Sequence, residues 1–349
     1  MIISALLFCG IILFFVMRIQ NTSRMVVATR ESYSLGTIIK LKAIGRKANE
    51  AIEEAISEIN ELDDKMSAFK DNSEVSKLNE SAGLRAEIVS EETYEVIKKA
   101  VVFSKLSGGT YDPTIRPLVN VWNNSIKNAQ IPDEETIKQK LKLTNCNDIE
   151  FNDEERSIGL KHTGQQLDLG GIAKGFATDA IRDIFIRNNI KSGLIDLGGN
   201  VYALGSKPDS ECWNIGVQNP FSQRGEYVGI LSVQNKSVVT SGNYEKFFVK
   251  DDKIFHHIID PRTGYPSESE IVSATIVSED SLVGDGLSTG VYILGVEASL
   301  RLNSKLQNVD MILVTEDKKI YITENIEKNF KLTDKNFELI GRDDYYEKN

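Results

Sequence analysis

Two copies of one tetrapeptide, Asp168-Leu169-Gly170-Gly171 and Asp196-Leu197-Gly198-Gly199, each close an apolar stretch that reads as a strand. A glycine pair in that position serves either a left-handed turn or a close approach of backbone to a ligand. The first copy runs directly into a helical pattern carrying Ala173, Lys174 and Gly175. Free amides and the dipole at such a helix start favour an anion, and a diphosphate would fit beside Gly170 and Lys174. The plainer alternative makes both pairs tight turns and Lys174 a solvated helix residue. The P-loop pattern GxxxxGKS/T is absent.

A second cluster, Gly284-Asp285-Gly286-Leu287-Ser288-Thr289-Gly290, lies in a predicted helix capped by Ser278, Asp280 or Ser281. Asp285 and Thr289 are four residues apart and share a face. A carboxylate and a hydroxyl, completed by a backbone carbonyl and water, make a hard oxygen site suited to magnesium. Each helix glycine costs about 1 kcal/mol, so something needs the close approach it permits. That something is a ligand or, on the alternative reading, a tightly packed neighbouring element.

Between the two clusters stand Thr240-Ser241-Gly242-Asn243-Tyr244-Glu245 and His256-His257-Ile258-Ile259-Asp260-Pro261-Arg262-Thr263-Gly264. Strand alternation sends the adjacent histidines to opposite faces, so one packs while the other reaches a ligand, and 260–264 is a turn by its chemistry. Upstream, Gly108-Gly109-Thr110-Tyr111-Asp112-Pro113-Thr114 ends a helix and puts an aromatic ring, a carboxylate and hydroxyls in one loop, where the ring could stack on a flavin or adenine. Met66-Ser67-Ala68-Phe69 offers a further apolar wall, or else core packing.

The elements that must position these groups alternate irregularly. Helical spacing marks 48–62 and 91–106, a strand is expected at 34–43 and another at 165–168, and a helix at 172–187. A strand pair follows at 193–204, with later strands at 227–234, 253–259, 272–277 and 311–315. Several adjacent strands joined by short turns argue for a mixed α+β domain with largely antiparallel sheets and packed helices, not an alternating parallel sheet. The 349 residues are 41% hydrophobic, enough for a large core, and composition is even from about Glu31 onward. We therefore expect one elaborate domain over 31–349. A net charge of -10 opposes nucleic acid as a partner. Cys9, Cys146 and Cys212 show no zinc-type spacing, and Cys146 and Cys212 read as plain thiols.

Residues 2–17 form an uncharged apolar run closed by Arg18. Sixteen residues reach about 24 Å as a helix, short for a bilayer core but sufficient for a signal anchor or signal peptide with help from its flanks. Residues 18–30 then read as a linker. Arg18 and Arg24 on the carboxyl side, taken alone, favour a cytoplasmic body.

In type and order these motifs resemble the ApbE family, the FAD:protein FMN transferases. The resemblance is carried by Met66-Ser67-Ala68-Phe69, Ser73-Glu74-Val75-Ser76-Lys77-Leu78-Asn79, Tyr111-Asp112-Pro113-Thr114, Asp168-Leu169-Gly170-Gly171-Ile172-Ala173-Lys174-Gly175, Ser241-Gly242, His257-Ile258-Ile259-Asp260-Pro261 and Asp285 with Thr289. It implies transfer of the FMN half of FAD to a threonine or serine hydroxyl of a target flavoprotein, with magnesium and release of AMP. It also implies that the carbonyl of Ala173 and the side chains of Asp285 and Thr289 hold the metal, while Met66, Thr110, Tyr111, Asp112, Gly170, Lys174 and His257 line the FAD site. His257 is the expected proton acceptor, with Asp260 and Asp112 as alternatives. Gly284 and Gly286 stand where the family pattern has alanine. Hydrolysis of FAD at the same centre, or flavin binding without turnover, would use the same pocket. Family members generally work outside the cytoplasmic membrane, so a membrane-held protein with an extracytoplasmic body is expected, against the charge flanks.

Overall fold

The computed structural model describes residues 25–251 and 253–341. Strands β1 (Val26–Ser34) and β2 (Thr37–Gly45) form a hairpin closed by Leu35 and Gly36, both at positive φ, as a two-residue turn matching strand twist requires. Strand β1 thus begins inside the stretch read as a linker. Helix α1 (Ala48–Met66) buries Ala51, Ile52, Ala55, Ile59, Leu62 and Met66, the face that the periodicity marks. Helix α2 (Glu74–Glu80) is capped by the hydroxyl of Ser73, which accepts from the Ser76 amide at 2.9 Å. Strand β3 (Glu87–Ile88), helix α3 (Glu91–Leu106), and helices α4 (Arg116–Asn128) and α5 (Glu134–Leu141) follow.

Strands β4 (Ile149–Asn152) and β5 (Ser157–Leu160) complete a small sheet with β3. After helix α6 (Ala173–Arg187) come β6 (Ser192–Leu197), β7 (Asn200–Leu204), β8 (Trp213–Gln218), β9 (Tyr227–Val233) and β10 (Lys236–Gly242). The hairpin β11 (Phe247–Lys250) and β12 (Lys253–His256) stands apart from the main sheet, and β13 (Ile271–Ser278) returns to it. Helices α7 (Ser281–Leu294) and α8 (Val296–Asn303) precede β14 (Val309–Thr315), β15 (Lys319–Ile322), β16 (Phe330–Leu332) and β17 (Glu338–Gly341).

Nine strands form the main sheet in the order β1-β2-β6-β7-β10-β13-β14-β15-β17, antiparallel throughout except for β15 with β17. Every residue of β13 and β14 is buried, as central strands covered on both faces must be. One face carries the largest core, with Ile59 and Leu62 of α1, Ile181 and Phe185 of α6, and Leu287 and Val291 of α7. On the other face the sheet β16-β9-β8 contributes Trp213, Leu231 and Phe330 against Val238, Val277 and Ile312. A third, small core joins Leu118, Trp122 and Ile137 of α4 and α5 to Phe248, Phe255 and Ile259.

The α+β architecture agrees with the sequence reading, with three local corrections. No strand forms at 165–168, where an isolated bridge from Ile115 to Gln166 is the local pairing. The expected strand at 253–259 stops at His256, because the chain leaves the hairpin to enter the turn after Ile259. The two tetrapeptide copies also differ in structure. Gly198 and Gly199 sit at φ +65° and +94° in the β6–β7 hairpin turn, whereas Gly170 and Gly171 have no positive φ and lead into α6. The apolar run 2–17 lies outside the described residues, and among those residues no helix is long and apolar enough to cross a membrane.

Candidate active site

Segments far apart in sequence close around a cavity of about 320 Å³. Its walls include Thr110, Tyr111, Asp112, Gly170 and Lys174 on one side of the chain, and Ser241, Glu245, His257, Asp285 and Thr289 from later elements. Helix α7 supplies the acidic wall. Asp285, 3% exposed, accepts from the Gly175 amide at 2.8 Å through Oδ2, and its Oδ1 lies 3.4 Å from Nζ of Lys174. Lys174 also donates to the Gly170 carbonyl at 2.8 Å. Thr289, one turn further along α7, has its hydroxyl 3.3 Å from Oγ of Ser241, which in turn is 2.9 Å from Oγ of Ser288.

The glycines of α7 serve packing. A Cβ on Gly284 would meet Val239 at 2.8 Å, one on Gly286 the ring of Phe103 at 2.3 Å, and one on Gly290 the side chain of Ser107 at 2.8 Å. Both sequence readings of this cluster therefore apply, to different residues: the glycines admit neighbours, while Asp285 and Thr289 line the cavity. The cap of α7 is a correction. Asp280 makes no side-chain cap bond, and the first two amides, of Ser281 and Leu282, are held instead by Asp179 of α6 at 2.8 and 2.9 Å. The start of α6 is also more self-contained than expected. The amides of Ala173, Gly175 and Phe176 bond Leu169, Asp285 and Ile172, so toward an anion this helix offers its dipole and Lys174 more than an open row of amides.

The two histidines divide as expected, although His257 lies just beyond the end of β12. His256 is buried, with Nε2 3.0 Å from the Ser267 carbonyl and Nδ1 accepting from the Ile258 amide at 3.2 Å. His257 lines the cavity, and its Nδ1 lies 3.3 Å from the Lys246 carbonyl, which fixes Nδ1–H and leaves the lone pair on Nε2. Burial lowers its pKa, so the ring is neutral near pH 7. Both alternative bases are committed elsewhere. The carboxylate of Asp260 is chelated by Arg262 at 2.7 to 3.2 Å, and Asp260 is absent from the cavity wall. Asp112 lines the cavity but accepts from the amide and hydroxyl of Thr114 and the amide of Cys146, at 2.8, 2.6 and 2.9 Å. Burial nonetheless raises its pKa.

Among the remaining predicted residues, Thr110 is wholly buried and bonds the Gly290 carbonyl at 3.0 Å, tying its loop to α7. Ala173 is the first residue of α6, buried between the cavity-lining Gly171 and Lys174. Met66 ends α1 inside the main core, where the buried stripe of α1 continues through its last turn, and like Ala173 it is not among the residues that line the cavity. Phe69 is 74% exposed, with the guanidinium of Arg116 4.3 Å from its ring centre. Arg116 also bonds Asp168 at 3.2 Å and the Ala68 carbonyl at 2.6 Å, joining that loop to the cavity wall.

The sequence reading missed Asn200, Asp168 and Glu245 as wall residues. The signal for Asn200 was its place immediately after the second tetrapeptide. Its Oδ1 accepts from Oγ of Ser281 at 2.5 Å and from the hydroxyl of Thr178 at 3.2 Å. Its Nδ2, like the hydroxyl of Tyr111, is buried without a protein partner. Both residues line the cavity, although these two atoms are themselves fully buried, as are the orphaned hydroxyls of Ser192 and Ser273 elsewhere.

The donor set also fits magnesium. Among the described residues no three His, Cys, Asp or Glu side chains cluster as metal ligands. Magnesium needs few protein ligands when substrate phosphates and water complete its shell. Oδ1 of Asp285 is only loosely engaged by Lys174 at 3.4 Å, longer than a usual charge-assisted hydrogen bond, and the hydroxyl residues Ser241 and Thr289 line the same cavity.

The chain matches the ApbE family over residues 35–313. It is 34% identical over 282 residues to a FAD:protein FMN transferase of Klebsiella pneumoniae, covering 81% of this chain and 87% of that one. A protein of the same name from Treponema pallidum is 31% identical over 329 residues, covering 89% and 91%. Among solved structures, the ApbE protein of Thermotoga maritima superposes with a TM-score of 0.80 at 29% identity, covering 87% of this chain and 99% of its own. The flavin transferase ApbE of Vibrio cholerae, at 23% identity and a TM-score of 0.77 over 88% of this chain and 100% of its own, shares the fold. Sequence and fold agree, and the chain belongs to the ApbE family.

Proposed function

We propose that the cavity binds FAD and that the protein transfers the FMN half to a threonine or serine hydroxyl of a target flavoprotein, with magnesium, releasing AMP. The observation that carries this reading is the meeting of Lys174, Asp285, Thr289 and His257 in one cavity that Tyr111 and Asn200 also line. The relatives named FAD:protein FMN transferase support it. In the reaction the acceptor oxygen attacks the FMN phosphorus, a new P–O bond forms, and the P–O bond to AMP breaks. The acceptor proton passes to Nε2 of His257, which is kept neutral by burial and held in the required tautomer by Lys246. Lys174 places its ammonium where the diphosphate charge must be balanced, and Tyr111 and Asn200 bind and orient the nucleotide. Asp285, Thr289 and the Ala173 carbonyl would hold magnesium, which when bound supplies further neutralisation of phosphate charge.

Water in the acceptor's place would instead give FMN and AMP. The full-length protein, incubated with FAD, magnesium and a candidate acceptor, tests both by intact-mass analysis and AMP assay. One FMN unit on the acceptor with matching AMP is expected. AMP with an unlabelled acceptor supports hydrolysis, and bound FAD with no AMP refutes turnover. We also place the protein at the membrane through residues 2–17, with its body outside the cytoplasm. Protease treatment of intact cells should then cleave the body, and protection until lysis reverses the orientation.

A further inference from the structure

Helices α6 and α7 cap each other. Asp285 of α7 takes the third amide of α6, from Gly175, at 2.8 Å, while Asp179 of α6 takes the first two amides of α7 at 2.8 and 2.9 Å, one on each carboxylate oxygen. The two first turns are pressed together. A Cβ on Gly175 would fall 2.5 Å from the Ser281 carbonyl and 2.7 Å from Cβ of Asp285. The same turn of α7 touches the ligand wall, since Oγ of Ser281 bonds Oδ1 of Asn200, the group that aims the orphaned Asn200 amide. Asp179 itself does not line the cavity.

We propose that Asp179 is a positioning residue which, by capping α7 from α6, sets the place of Asp285 in the cavity and so the affinity for the divalent cation. The inference rests on the magnesium site of the preceding section. Asp285 lies one turn beyond the capped amides, so any slide of the α7 start moves its carboxylate and the Gly175 bond together. Local charges do not make this cap a cheap one. Arg182 pairs with Asp179 at 3.1 Å, Asp280 at 2.7 Å and Asp183 at 3.0 Å, and its guanidinium lies over Tyr202. Even with that partner, burial lifts the Asp179 carboxyl to about 6, so its charged form opposes folding at neutral pH.

The test compares the full-length parent with Asp179→Asn, Asp179→Ser and Arg182→Gln. Three quantities are read: FAD affinity without metal, direct binding of manganese(II) by electron paramagnetic resonance, and the magnesium midpoint for AMP release. For the Asp179 variants we expect near-parental FAD affinity, manganese affinity weakened about 10-fold or more, and a magnesium midpoint raised in parallel, with turnover recovering at high metal. Arg182→Gln, which keeps both amide bonds, should show the parental midpoint. Parental metal affinity in a folded Asp179 variant overturns the proposal, and so does loss of fold in both variants, which would make the cap purely structural. An equal shift in Arg182→Gln also overturns it. A parent that binds no metal at all refutes the magnesium reading instead, which keeps the two failures distinct.

Discussion

The ring of His256 is committed through both nitrogens, to the Ser267 carbonyl and the Ile258 amide, which defines the neutral Nε2–H tautomer. A proton added at Nδ1 would face the Ile258 N–H in a site only 4% exposed. Burial accordingly lowers the pKa from 6.5 to about 4. The unfolded chain therefore binds this proton first as pH falls, and stability contributed by the neutral ring is lost between pH 6.5 and 4. From those two values the loss between pH 7 and pH 5 is about 2 kcal/mol. Asp179 acts in the opposite sense. Its carboxyl, raised from 3.8 to about 6, takes up a proton in the folded state first, which adds about 1 kcal/mol over the same fall in pH. These two groups largely offset each other in the parent. His256→Gln replaces the ring with an amide that still donates and accepts but does not titrate. Urea unfolding of parent and variant at pH 5, 6 and 7, followed by circular dichroism, isolates the term because all other groups cancel in the difference. The stability gap between parent and variant should shift by about 2 kcal/mol in favour of the variant from pH 7 to pH 5. A gap that stays constant across that range would refute the assignment of a buried, neutral His256.

Three further outcomes are expected. Asp285→Ala should lower transfer by about 100-fold or more while leaving metal-free FAD binding close to parental, and Thr289→Val should do the same less severely, both read by acceptor labelling across a magnesium titration. Gly286→Ala forces a methyl to within 2.3 Å of the Phe103 ring and should cost about 1–3 kcal/mol in urea unfolding, with partial recovery when Phe103 is shortened to leucine. Asn200→Asp exchanges the orphaned donor for an acceptor beside a bound diphosphate, and fluorescence titration should show FAD affinity reduced about 10-fold or more.

Local patterns were legible where one period dominated. The range of α3 and the buried stripe of α1 follow from helical spacing alone, whereas His256 and His257 part as expected for a different reason, because the strand ends between them. What escaped was pairing at a distance. The cap of α7 comes from Asp179, about a hundred residues earlier, and no local rule points past the nearby Ser278, Asp280 and Ser281. Likewise the two tetrapeptides are identical in letters, yet the first leads into a helix and the second turns between paired strands, because Asn200 has Leu197 opposite it and Ile172 has no such partner. The glycines of α7 marked a close approach correctly but could not name Val239, Phe103 and Ser107 as what approaches. Met66 shows the converse limit: a motif residue that the fold places in the main core.

The segment that carries His257 is rooted in both cores. Ile259, two residues after it, belongs to the small cluster with Trp122, Phe248 and Phe255, while Ile258, directly after it, belongs to the largest one together with Leu287 and Val291, beside Asp285 and Thr289. The ring of His256 also meets Tyr292 of α7 edge to face. The histidine segment is thus a hinge plate fastened on both sides, so repacking the aromatic stack of Trp122, Phe255 and Phe248 would pull the proton acceptor against the helix that carries Asp285 and Thr289.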